Sequence, residues 1–252
     1  MKKYLVAFSA VVALLFMAGS GYALTYDLLT DWSNTANPNG PWAYLQGTTV
    51  LPSQTGGQFG TSYAFAPGNV AGNFLPAFWN NGDSIITHSV DSANGNPALG
   101  ESILTWTSPA AGTVSISGAL WYAHGPTVAR SNDFFLSLGG TELTQGTVSG
   151  TSGESYATAK SEAITFSFSG LSVTNGEVLS LLVERSPGQQ YGSETAINLT
   201  VTESPVPLPG ALLLFGPGLV GLAAMRRALR KRKRHSPHIA GRAVRPCPFL
   251  SP

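Results

Sequence analysis

Thr113-Val114-Ser115-Ile116-Ser117-Gly118-Ala119-Leu120-Trp121-Tyr122 alternates at period two. Val114, Ile116, Gly118, Leu120 and Tyr122 fall on one side and Thr113, Ser115 and Ser117 on the other, because successive side chains of a strand point to opposite faces. The pattern recurs at Ile164, Phe166 and Phe168, and again at Ile197, Leu199 and Val201. Further strands are expected over 85–90, 102–107, 134–138 and 178–184. Ala111-Gly112, Gly139-Gly140, Ser169-Gly170 and Asn175-Gly176 punctuate these runs, the last being a strong tight-turn signal. Residues 24–205 carry no convincing amphipathic helix. Strands every 10 to 15 residues without helices between them indicate an all-β fold, an antiparallel, jelly-roll-like β-sandwich.

Charge is sorted along the chain. The formal net charge of +1 over 252 residues sums +2 from Lys2 and Lys3, −10 from residues 24–205 and +9 from residues 206–252. Aromatics at 10% exclude a disordered chain, and charged residues at only 11% exclude a coiled coil or solvated helical bundle. Cys247 is the one cysteine, so intrachain disulfides and cysteine-based zinc or redox motifs are excluded.

Apolar segments frame the acidic region. Lys2-Lys3, the greasy run Tyr4–Met17 and the small residues Gly21 and Ala23 describe a signal peptide over 1–23, cleaved after Ala23. Cleavage after Ser20 is the alternative. Leu208 to Met225 runs 18 residues without a charge, about 27 Å of helix and close to the hydrocarbon thickness. Arg226, Arg227, Arg230, Lys231, Arg232, Lys233 and Arg234 follow directly. Such a basic cluster stops transfer, which leaves residues 24–205 outside and the cluster in the cytoplasm. Pro217 should kink the span. Gly216, Gly218 and Gly221 spell G-x-G-x-x-G, but no strand precedes them and no acid follows, so dinucleotide binding is rejected. Next to a membrane span the basic run reads as an orientation signal that favours anionic headgroups, not as a nucleic-acid surface.

Val206-Pro207-Leu208-Pro209, the apolar helix and Arg226-Arg227, on a chain with a signal peptide, resemble the bacterial PEP-CTERM sorting signal in its VPLP variant. The resemblance covers about 30 residues, taken as 206–234. It implies an exosortase, a membrane-embedded cysteine protease-transpeptidase, as the processing partner. It also implies delivery to the cell surface of an exopolysaccharide-producing, biofilm-forming bacterium. Gly210 stands where the variant commonly has Ala, and a Pro-rich tail, 235–252, follows the cluster and is expected to be disordered.

The stretch from Trp106 through Pro109 and Gly112 to Gly118 resembles bacterial jelly-roll modules that run W-x-A-P-x-A-G-x-Y-x-V-x-G. Val173-Thr-Asn-Gly176-Glu177 and Tyr191-Gly-Ser-Glu-Thr-Ala-Ile197 are similar to later segments of those modules. Asn37-Pro38-Asn39-Gly40-Pro41-Trp42-Ala43-Tyr44 is similar to a phrase of the same exported proteins.

No residue pattern in 24–205 requires catalysis. His88 and His124 lie 36 residues apart, without metal-ligand spacing. Gly153-Glu-Ser155-Tyr-Ala157 lacks the second glycine of a nucleophile elbow. Asp91-Ser-Ala-Asn94-Gly95-Asn96 does not fit the calcium loop, although a structural calcium held by separate loops stays open. The expectation is therefore no enzyme, no cofactor and no nucleic-acid partner. Aromatic faces stack on sugar rings, and residues 26–79 hold 10 of the 25 aromatics. Trp106 and Trp121 read as core, whereas Trp42 and Tyr44, beside Pro41, are the candidate contacts for an extracellular polysaccharide.

Overall fold

Inward apolar and outward Ser/Thr side chains make long antiparallel strands out of the alternating runs, and these stack into two sheets. In the computed structural model, residues 23–55, 63–66, 75–91, 101–125, 127–205, 221–222 and 226 are described. The chain divides into one unit of residues 21–206 and a second of 1–20 with 207–252. In the second unit Gly221, Leu222 and Arg226 have helical backbone. The signal peptide up to residue 22, the motif Val206–Pro209, the rest of the apolar span, the other basic residues and the tail lie outside the described residues. Among the described residues no helix is long and apolar enough to cross a membrane.

The strands are β1 (Leu24–Asp27), β2 (Trp42–Gln46), β3 (Thr49–Val50), β4 (Ser53–Thr55) and β5 (Tyr63–Phe65). They continue with β6 (Ala77–Asn80), β7 (Ile85–His88), β8 (Ser102–Thr107), β9 (Gly112–Tyr122) and β10 (Ser131–Leu138). After β11 (Thr141–Ser149) comes a helix, α1 (Tyr156–Ser161), and then β12 (Ile164–Val173), β13 (Val178–Arg185) and β14 (Glu194–Pro205). One sheet runs β12-β9-β14-β7-β6-β5-β4, with β1 also paired to β14; the other runs β11-β10-β13-β8-β2-β3. Every pairing between them is antiparallel. The expected sandwich is observed.

Strand β14 holds its sheet together. It pairs with β9 from Thr195↔Tyr122 to Pro205↔Gly112. Its other side takes β7 at Glu194–Ile197 and β1 at Thr200–Glu203. The inward residues Val114, Ile116, Leu120, Ile197, Leu199 and Val201 are buried, as their alternation predicts. Trp106 and Trp121 are buried too.

Three local expectations change. Ser169-Gly170 does not separate strands: it lies inside β12, where the register shifts between Phe168 and Leu171. Gly170 at φ 68° supplies the left-handed residue such a bulge needs. Asn175-Gly176 does turn the chain, but it carries β12 of one sheet to β13 of the other and does not close a hairpin. A helix also interrupts the strands. Ser155, met above in a failed nucleophile pattern, is its N-cap and accepts the Thr158 N–H at 3.1 Å.

The N-terminal loop is built by asparagine. Asn37 Nδ2 donates to the carbonyls of Tyr44 and Leu51 (2.8 Å each), and its Oδ1 accepts the Tyr44 N–H at 2.9 Å. One side chain thus replaces a strand neighbour. Asn39 and Trp42 exchange both backbone hydrogen bonds, at 2.9 and 3.1 Å. Asn37→Ala removes three hydrogen bonds, leaving the Leu51 carbonyl and the Tyr44 N–H without this partner while the Tyr44 carbonyl keeps the Leu51 N–H at 3.0 Å, which costs about 2–3 kcal/mol at roughly 1 kcal/mol per bond. In thermal denaturation its midpoint should fall by roughly 5–10 °C. Asn37→Asp should lose as much at pH 7, because it faces two carbonyls with a carboxylate, and should recover partly near pH 4.

Candidate functional site

The sequence placed glycan contacts at Trp42 and Tyr44. The structure corrects this: they are 0% and 1% exposed. Trp42 Nε1 donates to Asp31 Oδ2 at 3.0 Å, so the indole is held by an internal carboxylate. Tyr44 stacks on Phe65 at 5.2 Å and meets Trp32 at 4.9 Å and Phe78 at 5.2 Å. Burial, assisted by Asp31, pushes its hydroxyl well above the usual tyrosine range. Both rings are core, and no sugar reaches them.

At one end of the sandwich a polar network ties the two sheets. Asn132 of β10 is fully buried, donating to the Ser193 carbonyl at 2.8 Å and to Thr195 Oγ1 of β14 at 2.9 Å. Its Oδ1 accepts Ser89 Oγ at 2.6 Å, and Ser89 Oγ accepts the Ser193 N–H at 3.0 Å. Asp91, the start of the segment considered for calcium, accepts the Gly192 N–H at 2.6 Å; residues 92–96 lie outside the described residues. Among the described residues, no group of three or more His, Cys, Asp or Glu is placed to hold a metal ion.

Titratable groups border this network. Arg130 Nη1 donates to the Gly192 carbonyl at 2.7 Å and meets His124 Nε2 at 3.2 Å, and the guanidinium lies 5.0 Å from the centre of the Tyr191 ring. The histidines that looked remote in sequence are therefore neighbours around Arg130. Burial first, then the charges of His124 and Arg130, lowers His88 to about 3. Burial raises Glu194 to about 7, against a smaller opposing effect of Arg130.

The second polar feature is a cleft of about 230 Å³ beside α1. Strand β12 begins at Ile164, opposite Leu120, so Trp121 and Tyr122 run on with β14 on one side and no strand on the other. The Ala123 N–H bonds to the Glu194 carbonyl at 3.0 Å. In an antiparallel ladder alternate residues face opposite neighbours, so the Tyr122 N–H and carbonyl turn away from β14, toward the cleft. Thr147 and Ser149 of β11 line the opposite wall, and Glu154 and Glu162 lie at the two ends of the helical segment. Glu154 is held by the Thr151 N–H at 2.8 Å. A Cβ on Gly150 would sit 2.1 Å from the Tyr122 ring, so only glycine lets the β11 end close on that ring.

Helix α1 is fixed to the outer face of the sheet at Trp121. Lys160 Nζ lies 5.3 Å from the indole centre and pairs with Asp83 at 2.8 Å, while the Tyr156 ring meets the indole edge-on at 5.9 Å. Tyr156 Oη donates to Asp83 at 2.7 Å. Trp121 is 2% exposed and its Nε1 has no hydrogen-bond acceptor among the described residues. No sequence signal showed this cleft, since its walls come from three separate elements.

The two shifted groups set opposite pH dependences. Glu194 is raised, so its contribution to stability is full below the unfolded value near 4.5 and is lost as pH rises through about 7. His88 is depressed, so its contribution is full above 6.5 and is lost as pH falls toward about 3. Glu194→Gln should raise the thermal midpoint at pH 8, by on the order of 2 kcal/mol of stability, and leave it unchanged at pH 4.5. Circular dichroism melts at the two pH values check this; an equal effect at both contradicts it.

No family model matches the chain, and no curated protein matches it. Among solved structures it is similar to the xylan-binding module CBM15, at 10% identity and TM-score 0.33, over 73% of this chain and 99% of that one. CBM35 from Cellvibrio japonicus Abf62 is similar at 14% identity and TM-score 0.29, over 73% of this chain and 99% of that one. Dimeric latent PorU from Porphyromonas gingivalis is similar at 15% identity and TM-score 0.29 over 40% of this chain, which spans 10% of PorU. At these identities and TM-scores none of the three assigns a role to a residue of this chain.

Proposed function

We propose that the chain is an exported, non-enzymatic protein of the bacterial envelope or exopolysaccharide matrix, sorted and processed at its C-terminal anchor by an exosortase-like enzyme. The order of parts carries this reading: a signal peptide, an acidic domain of −10, the motif Val206-Pro207-Leu208-Pro209, an apolar span and a basic cluster. Lys and Arg resist translocation, so that order fixes which side the acidic domain faces. Residues before proline avoid helix, which keeps the motif extended between the sandwich and the span. Because β14 ends at Pro205, a cut within 206–210 leaves the last strand whole.

A second reading, glycan binding by the sandwich, is supported by the polar cleft beside α1. It no longer draws on Trp42 and Tyr44. On either reading the molecule works by holding and being held, and the bond-breaking step belongs to the processing partner.

Intact-mass measurement of the protein recovered from the cell surface should show an N-terminus at Leu24 and a C-terminus between Val206 and Gly210. A mature surface protein that retains Arg226–Arg234 contradicts processing. Polysaccharide pull-down with the full chain tests the second reading: retention on the native matrix glycan supports it, and passage without retention removes it.

A further inference from the structure

We infer that the cleft between the end of β9, β11 and α1 binds one uncharged, hydroxyl-rich sugar residue, such as a glycan chain end. This assignment deepens the glycan-binding reading and rests on it. Hydrogen-bonding groups with capacity to spare converge here. The Tyr122 N–H and carbonyl point to a side where β9 has outrun β12. Glu162 carries no hydrogen bond from its carboxylate, and Glu154 has one oxygen engaged by Thr151. The Tyr122 backbone groups and the two water-facing carboxylates thus offer spare hydrogen-bonding capacity to one concavity, which a hydroxyl-rich ligand can use.

Size and charge narrow the class. A volume of about 230 Å³ equals that of roughly seven or eight waters and lies below the ~300 Å³ at which pockets for drug-sized ligands begin. The volume matches a single ring. Glu154 and Glu162 oppose an anion, and the domain they belong to carries −10. Among the described residues no group of three or more His, Cys, Asp or Glu is placed to hold a metal ion, so the two carboxylates do not make a metal site. Ile164 supplies exposed apolar surface at the cleft, against which the C–H face of a sugar can rest, while the carboxylates accept its hydroxyls.

The test uses the full chain, titrated with glucose, galactose, mannose and N-acetylglucosamine, and separately with glucuronate and glucosamine. Tryptophan fluorescence and calorimetry report binding. At about 0.3 kcal/mol per non-hydrogen atom a single sugar binds in the millimolar range. At least one neutral sugar should saturate, Glu154→Ala and Glu162→Ala should each weaken it at least fivefold, and the double variant should abolish it. Ser149→Trp, which fills the cleft from an exposed position, should do the same with an unchanged thermal midpoint. Tighter binding of glucuronate or glucosamine than of every neutral sugar overturns the ligand class. Saturation by no neutral sugar overturns the assignment outright. If the variants leave binding intact, or polysaccharide retention persists without it, the site is overturned while the glycan-binding reading stands; loss of both removes the two together.

Discussion

The antiparallel pairing of β14 with β9 organises the sheet that bears the cleft. Eleven consecutive register pairs, Thr195↔Tyr122 to Pro205↔Gly112, bring together residues far apart in sequence. The far side of β14 takes β7 and β1, so the first and last strands of the sandwich lie side by side at Leu24↔Glu203. Such contacts are non-local, and the loop-closure entropy must be spent before the hydrophobic gain from Ile116, Leu120, Leu199 and Val201 arrives. The cleft inherits its shape from this pairing. Because β9 outlasts β12 but not β14, Tyr122 keeps one bonded neighbour and turns its own backbone groups outward.

Legibility in the sequence followed burial geometry. Strands β8, β9, β10 and β13 face the core on one side only, so their apolar residues alternate and their positions were readable. Strands β6 and β7 are buried on both faces, and such strands carry little alternation to read; β7 shows in the sequence by its apolar start alone. β11, TELTQGTVS, is an edge strand with mostly polar residues and gave no signal. Trp42 and Tyr44 were misplaced for a different reason. A Gly/Asn/Pro-rich setting looks like a solvated loop, but here Asn37 and Asn39 use their amide and backbone groups to pin that loop onto the strand. The helix was missed because six residues are too few for periodicity to register, although Ser155 is a good cap.

The two polar regions differ in how far their groups satisfy one another. At the sandwich end, Asn132, Ser89, Ser193 and Thr195 satisfy one another across the sheets, and such a closed network specifies how two layers dock. Of this set, the Ser193 hydroxyl alone has no partner among the described residues. Beside α1 the lining carboxylates of Glu154 and Glu162 face water, and the helix is held to the sheet by an ion pair and a ring contact at Lys160. The groups expected to direct sorting belong to neither region. They follow β14 in sequence, where the acidic domain gives way to proline, an apolar run and arginine.

Orientation of the chain across the inner membrane is the claim on which the functional account turns, and cysteine accessibility tests it directly. Ser152→Cys places a thiol on an exposed turn of the sandwich, and the natural Cys247 lies in the basic C-terminal region. A membrane-impermeant maleimide applied to spheroplasts containing the unprocessed chain should label residue 152 and leave Cys247 unlabelled until the membrane is lysed. Labelling of Cys247 with protection of residue 152 would contradict the account.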